Sequence, residues 1–156
     1  MTIDTRNPAT GEKLDSYAEL TESEIETKLA KAANRYAEWR RSDYKTRTDL
    51  LSAIADAFES RSEELGRQIT LEMGKTFASA KAEAEKCATA FRFYAENGPA
   101  LLEDQPWERA EGKVYTRYLP MGPVLAVMPW NFPLWQAVRF LAPTIMAGNV
   151  GLLKHA

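Results

Sequence analysis

Two pairs of residues near the end of the chain have side chains suited to a binding site. Trp130 and Asn131 follow one apolar run of the sequence, and Lys154 and His155 follow the next. The amide NH2 of an asparagine can donate to a developing oxyanion without bringing a charge of its own. The ammonium of a lysine can donate to ribose hydroxyls or offset the charge of a phosphate. These residues are therefore candidates for binding sugar, phosphate or oxyanion groups.

The segments around these pairs predict a strand, a helix and a second strand. Residues 124–128 are wholly apolar, which is typical of a parallel strand buried on both faces. Pro133 suits a first helical turn, residues 134–146 are apolar nearly all round, and residues 150–154 fit the next strand. In a βαβ unit, ligands bind beyond the carboxyl ends of the parallel strands. We therefore expect both pairs to border one crevice.

The same residues also fit purely structural roles. Asn131 lies in a strand-to-helix turn, where an asparagine is more often the cap of the helix. Lys154 could be a solvated strand end, Trp130 could fill core volume, and His155 could be a surface residue. Cys87 lies on the apolar stripe of a predicted helix and is interpreted as a packed thiol rather than a nucleophile.

Capping signals and helical periodicity predict amphipathic helices before this unit. Thr21 and Glu24 form a capping box, and apolar residues then recur every three or four positions up to Trp39. A second helix is predicted at about residues 44–59, with apolar residues along one face.

Two more helices are predicted further along the chain. Ser60 and Glu63 form a second capping box, and Gly74 ends the helix that follows it. The fourth helix begins near Phe77 and should stop at the Asn-Gly-Pro sequence of residues 97–99. Glu83 and Glu85 on this helix are interpreted as part of its solvated face.

Composition excludes several classes of function. Twenty Lys and Arg residues against 22 Asp and Glu residues give a net charge of -2 with no long block of either sign. Nothing therefore resembles a footprint for nucleic acid or for an anionic membrane. Cys87 is the only cysteine, so a reducing compartment such as the cytoplasm is expected. Residues 1–14 contain no apolar run, so a secretory signal is not expected. The sequence contains no glycine-rich phosphate motif and no cluster of ligands at metal spacing.

The motifs around Asn131 resemble those of the aldehyde dehydrogenase superfamily. They occur in register, and two further matches extend the resemblance over nearly the whole chain. The residues at 152–156 are similar to those of the bacterial succinate-semialdehyde dehydrogenases, although many relatives have proline where this chain has His155. The matching motifs are Asn7-Pro8-Ala9-Thr10-Gly11-Glu12, Glu72-Met73-Gly74-Lys75, Gly122-Pro123-Val124, Pro129-Trp130-Asn131-Phe132-Pro133, Ala147-Gly148-Asn149 and Leu153-Lys154.

The resemblance implies oxidation of an aldehyde, expected to be succinate semialdehyde, to the carboxylic acid with NAD or NADP. In this family a cysteine thiolate attacks the aldehyde, hydride leaves to the nicotinamide, and water hydrolyses the thioester. Asn131 corresponds to the catalytic amide of the oxyanion hole, and Lys154 corresponds to the lysine that meets the adenosine ribose. The implied cofactor-binding residues are Trp130, Asn131, Lys154, His155 and Ala156.

The resemblance also implies an α/β fold, the N-terminal part of a Rossmann-type cofactor domain in which helices precede a βαβ unit. The family's nucleophilic cysteine, its water-activating glutamate and its pyrophosphate-binding turn have no match here, so we expect an incomplete chain that is inactive alone. The alternative is a helical interaction module or an inactive truncated subunit. The complete enzyme is expected to be a homo-oligomer. The implied division is an arm at 1–20, helices of the cofactor domain at 21–112, a strand of the oligomerisation region at 113–119 and the first βαβ unit at 120–156.

Overall fold

The computed structural model describes residues 2–108 and 112–155, and Ala156 lies outside this part. The described part contains five helices and six strands, so the expected α/β class is confirmed. The helices are α1 (Glu22–Trp39), α2 (Tyr44–Ser60), α3 (Ser62–Met73), α4 (Phe77–Leu101) and α5 (Trp135–Met146). The strands are β1 (Thr2–Arg6), β2 (Lys13–Ala18), β3 (Gln105–Trp107), β4 (Val114–Thr116), β5 (Pro123–Val127) and β6 (Val150–Lys154).

The strands form three two-stranded sheets. β1 pairs with β2 and β3 pairs with β4, both antiparallel. β4 is shorter than the strand expected at residues 113–119, and its partner β3 falls within the segment expected to be helical. The sequence signal for β3 is weak because its three residues are Gln, Pro and Trp.

The predicted βαβ unit is present, with β5 and β6 paired in parallel. Its register places Pro123 opposite Val150 and Val127 opposite Lys154, so both strands end at the same edge. At the opposite edge, Asn149 Oδ1 accepts from the backbone N–H of Met121 at 2.7 Å and of Gly122 at 3.0 Å. The side chain of Asn149 therefore aligns the starts of the two strands.

Local sequence signals were right for the start of α1 and the end of α3, and wrong for the start of α3. The Thr21 and Glu24 capping box is formed at the start of α1, and Gly74 ends α3 in the left-handed region with φ 80°. The predicted capping box of Ser60 and Glu63 is wrong, because α2 continues through Ser60. The Ser60 hydroxyl donates to the carbonyl of Ala57, and the N-cap of α3 is Arg61, which has no side-chain cap.

The predicted end of α4 at residues 97–99 is also wrong, since the helix continues to Leu101. Gly98 has a packing role instead, because a Cβ atom there would lie 2.3 Å from Cγ of the buried Met146 in α5. The glycine therefore allows α4 and α5 to approach closely. Neither α4 nor any other helix in the described residues combines the length and apolarity needed to cross a membrane.

The core lies between the helices and not within the sheets. Residues 124–128 have the composition of a strand buried on both faces, but in this chain Leu125 is 65% exposed, Val127 is 66% exposed and Ala126 is buried. In the described residues β5 pairs only with β6, which leaves one face and one edge uncovered. The buried cluster combines side chains of α2, α4 and α5: Leu51, Ala55, Cys87, Ala88, Phe91, Ala95, Val138, Ala142 and Met146.

Arg47 on α2 is buried and connects the ends of two other helices. Its Nη1 donates to the carbonyl of Met146, the last residue of α5, at 3.1 Å. Its Nη2 donates to the carbonyls of Arg40, at the end of α1, at 3.3 Å and of Ser42 at 3.0 Å. A cation at the C-terminal end of a helix also interacts favourably with the helix dipole. Arg47 therefore stabilises the packing of α1, α2 and α5.

We predict that Arg47→Met lowers the free energy of unfolding by about 3 kcal/mol, because it leaves several buried carbonyls without a donor. The measurement is urea-induced unfolding followed by circular dichroism. Arg92→Met is the matched control, since Arg92 is partly exposed and pairs with Asp56 and Glu59 on the surface. We expect a much smaller change in the control. Equal losses in the two variants would contradict the role of Arg47.

Candidate functional site

The turn at residues 128–134, between β5 and α5, lies beside the end of β6. The backbone N–H of Met128 donates to the carbonyl of Lys154 at 3.2 Å, which extends the parallel pairing by one residue. The rings of Trp130 and His155 are in perpendicular contact with their centroids 5.9 Å apart. The two residue pairs expected to share a crevice are thus brought together at one edge of the sheet.

Asn131 lies on the surface of this turn. Its Oδ1 accepts a long hydrogen bond of 3.4 Å from the Nε2 of Gln136. Among the described residues, nothing accepts a hydrogen bond from the Asn131 NH2 group. This donor is therefore available to a ligand, as oxyanion binding requires.

The helix that follows is capped by Glu83 of α4, and the described contacts assign no capping role to Asn131. One carboxylate oxygen of Glu83 accepts from the backbone N–H groups of Leu134 and Trp135, at 3.0 Å each. A carboxylate at this end of a helix satisfies unpaired N–H groups and complements the helix dipole. The capping role considered for Asn131 is thus filled by Glu83, a residue of a different helix.

Glu83 was expected on the solvated face of α4, and that interpretation is wrong because its side chain is only 2% exposed. Its second carboxylate oxygen pairs with Nζ of Lys75 at 2.5 Å. Glu83 falls in the buried stripe of α4, between Ala80 and Cys87 at helical spacing. That register was the signal in the sequence that could have identified Glu83 as buried.

Lys75 completes the support of the turn. Its Nζ lies 3.7 Å from the centroid of the Phe132 ring, which is within the range of a cation–π interaction. The lysine follows Gly74, whose left-handed conformation ends α3. Lys75 therefore contacts both Glu83 and the residue next to Asn131.

A hollow of about 360 Å³ borders the strand ends on the side of the β1–β2 hairpin. It is lined by Trp130 and His155, together with Ile3, Thr5, Tyr17 and Glu72. Lys154 is exposed, and within residues 2–108 and 112–155 no carboxylate pairs with it. An ammonium at a strand end can donate to the hydroxyl and phosphate groups of a nucleotide. The donor set at this edge is thus chemically suited to a dinucleotide.

Cys87 lies in the core with no exposed surface. Burial, followed by the negative charge of Glu83, raises the pKa of the thiol to about 12. A nucleophilic cysteine requires an accessible thiolate. The interpretation of Cys87 as a packed thiol is therefore confirmed.

We predict that Cys87 of the folded chain resists Ellman's reagent near neutral pH and reacts fully once the chain is unfolded in guanidinium chloride. Above the ordinary thiol pKa of 9.0 the unfolded chain loses this proton while the folded chain keeps it up to about 12. The free energy of unfolding should therefore fall over this range, and Cys87→Ala should reduce the fall. Rapid labelling of the native chain would contradict the burial.

Comparison with known proteins gives matches along the whole sequence. Residues 1–156 match the model of the Aldehyde dehydrogenase family. Succinate-semialdehyde dehydrogenase (NADP(+)) 1 of Mycobacterium tuberculosis is 52% identical over 159 residues, which cover 100% of this chain and 35% of that protein. The succinate-semialdehyde dehydrogenase (NADP(+)) of Mycobacterium leprae is 51% identical with the same coverage. The chain thus spans about a third of the length of these curated relatives.

Solved structures agree with this assignment. The succinic semialdehyde dehydrogenase of Streptococcus pyogenes, in complex with NADP+ as the cofactor, is similar with a TM-score of 0.95 and 32% identity, over 98% of this chain and 34% of that one. The NADP-dependent glyceraldehyde-3-phosphate dehydrogenase of Bacillus halodurans, complexed with NADP, gives a TM-score of 0.91 and 29% identity, over 100% and 34%. Because the family match covers every residue, this chain belongs to the aldehyde dehydrogenase family.

Proposed function

We propose that this chain provides part of the cofactor-binding and oxyanion-binding machinery of an enzyme that oxidises succinate semialdehyde to the carboxylic acid with NADP. The observation that carries the proposal is the 52% identity with the Mycobacterium tuberculosis enzyme over the whole chain. The two residue pairs at the strand ends support it, because they join an amide donor and an ammonium at one edge of the sheet.

Asn131 is the proposed catalytic residue. Its NH2 donor has no acceptor among the described residues and is presented on a turn that a buried carboxylate supports. A preorganised donor of this kind stabilises the negative oxygen that develops when a nucleophile attacks an aldehyde carbonyl. The chain's only cysteine, Cys87, is buried with a raised pKa, so the proposed nucleophile comes from outside residues 1–156.

Trp130, Asn131, Lys154 and His155 are the proposed contacts of this chain with NADP, which supplies hydride-accepting chemistry when bound. Lys154 would donate to a ribose hydroxyl or phosphate, and the aromatic contact of Trp130 with His155 would shape the adjacent wall. Ala156 completes the set predicted from the sequence.

We also propose that the complete enzyme is a cytoplasmic homo-oligomer with a small aldehyde substrate. The β3–β4 hairpin supports the assembly, because Trp107, Val114 and Tyr115 on it are about half exposed. Apolar side chains exposed on such a hairpin are suited to burial against another subunit.

The proposal is tested with a chimera in which this chain replaces the segment that it matches in the Mycobacterium tuberculosis enzyme. We expect the chimera to oxidise succinate semialdehyde with NADP. We predict that Asn131→Ala lowers its kcat by about two to three orders of magnitude with little change in the KM for NADP, as loss of one oxyanion donor does.

Asn97→Ala is the matched control, because Asn97 is an exposed asparagine whose amide donates within α4. We expect its kcat to stay near that of the unmodified chimera. If Asn131→Ala keeps normal turnover and loses only about 1 kcal/mol of stability, Asn131 has a structural role alone and its catalytic role is refuted. An inactive unmodified chimera would count against the proposed function itself.

We predict that Lys154→Ala in the chimera raises the KM for NADP by about tenfold while changing kcat much less, because a charged hydrogen bond in a partly open site is lost. The measurement is steady-state kinetics at saturating aldehyde. Lys28→Ala on the exposed surface of α1 is the control. An unchanged KM for NADP would show that Lys154 is only a solvated strand end.

A further inference from the structure

We propose that Lys75 and Glu83 form a positioning pair for the oxyanion-binding turn, an inference that rests on the proposed function of Asn131. Neither residue reaches the crevice between the strand ends in the contacts described above. Each instead contacts one side of the turn that carries Asn131. Both side chains are largely buried, with 11% of Lys75 and 2% of Glu83 exposed.

Glu83 fixes the end of the turn that enters α5. Its carboxylate oxygen accepts from two successive backbone N–H groups, those of Leu134 and Trp135, at equal distances of 3.0 Å. These amides lie three and four residues after Asn131. Two hydrogen bonds to one charged acceptor restrict the backbone more than a single neutral cap does. The position of Asn131 relative to α5 therefore depends on a side chain of α4.

Lys75 fixes the residue next to Asn131. Its ammonium lies 3.7 Å from the Phe132 ring centroid and 2.5 Å from Glu83 Oε2. Phe132 is 42% exposed, so packing against the core fixes its side chain only in part. The ammonium of Lys75 thus contacts both the ring of Phe132, which precedes α5, and the carboxylate of Glu83, which caps α5. The two contacts support the turn next to Asn131, whose own side chain is exposed.

The position of Lys75 is set in turn by the end of α3. Gly74 has a φ of 80°, which L side chains rarely adopt, and a Cβ there would lie 2.7 Å from Cγ of Pro8. Gly74 therefore allows the chain to turn sharply next to Pro8 of the β1–β2 hairpin, and Lys75 is then placed in contact with Glu83. This gives residues 72–75 a role in the proposed reaction.

A purely structural ion pair makes a different prediction. Buried ion pairs often contribute little net stability, and replacing them affects the whole fold through desolvation. A positioning pair acts on one turn, so its loss should alter the geometry at Asn131 before it alters the rest of the molecule. Glu83→Gln separates the two roles, since it keeps an oxygen acceptor for the amides and loses the charge that holds Lys75.

The first experiment measures amide hydrogen exchange in the 156-residue chain, with the α2 core as the reference for global unfolding. We predict that Glu83→Ala accelerates exchange at Leu134 and Trp135 by at least about tenfold relative to that reference, and that Glu83→Gln has a smaller effect. Glu85→Gln is the matched control, because Glu85 lies two residues away with its side chain 54% exposed. Uniform acceleration, or none at these two amides, overturns the proposal.

The second experiment uses the chimera defined above. We expect Glu83→Ala and Lys75→Met to lower kcat by about 10- to 100-fold, with the KM for NADP nearly unchanged, because a small displacement of a catalytic group has effects of this size. Glu83→Gln should restore part of the kcat lost in Glu83→Ala. Glu85→Gln should match the unmodified chimera.

A double-variant cycle with Asn131→Ala then decides whether the pair acts through Asn131. If it does, adding Glu83→Ala to Asn131→Ala lowers kcat no further. Multiplicative losses, or a lower Tm with unchanged kcat in the single variants, overturn the positioning role. Normal turnover of Asn131→Ala itself would refute the catalytic role proposed for Asn131, and the hydrogen-exchange result would still report separately whether Glu83 holds the turn.

Discussion

The crossover helix α5 has a buried charge of the appropriate sign at each end. The carboxylate of Glu83 binds the N–H groups at its start, and the guanidinium of Arg47 binds the last carbonyl, that of Met146. These are the ends where the helix dipole favours an anion and a cation respectively. The two charges come from α4 and α2, which pack against each other in the core. The position of α5 is therefore set by groups outside it.

Fixing α5 at both ends also fixes the two strands that it joins. Asn149 follows the Arg47 end of the helix and holds Met121 and Gly122 at the start of β5. The turn with Trp130 and Asn131 precedes the Glu83 end and meets His155 after β6. The helical layer thus determines where the strand ends lie, although none of its core residues needs to touch a ligand. The helices thus position the candidate site, although the site itself lies at the edge of the β5–β6 sheet.

Much of this arrangement follows from local sequence, and the remainder does not. The α1 capping box and the glycine at the end of α3 are determined within a few residues, and the elements of the βαβ unit follow from apolar runs and turn residues in consecutive segments, so their patterns predict them. The register of α4 could have identified Glu83 as buried, but its capping role could not be predicted locally, because Leu134 and Trp135 are about fifty residues away along the chain. The end of α4 was misjudged because Gly98 reads locally as a helix breaker, whereas its neighbour in space is Met146. In both cases a tertiary contact overrode a local preference.

The contact between Gly98 and Met146 has a consequence for how this family can vary. A methyl group on residue 98 would overlap a side chain that is 1% exposed, so the two helices could not keep their spacing. A larger residue at 98 is compatible with the same backbone only if residue 146 becomes smaller. Substitutions at these two positions should thus be inherited together, and a lineage that changes one without the other would shift α5 and the crevice beside it.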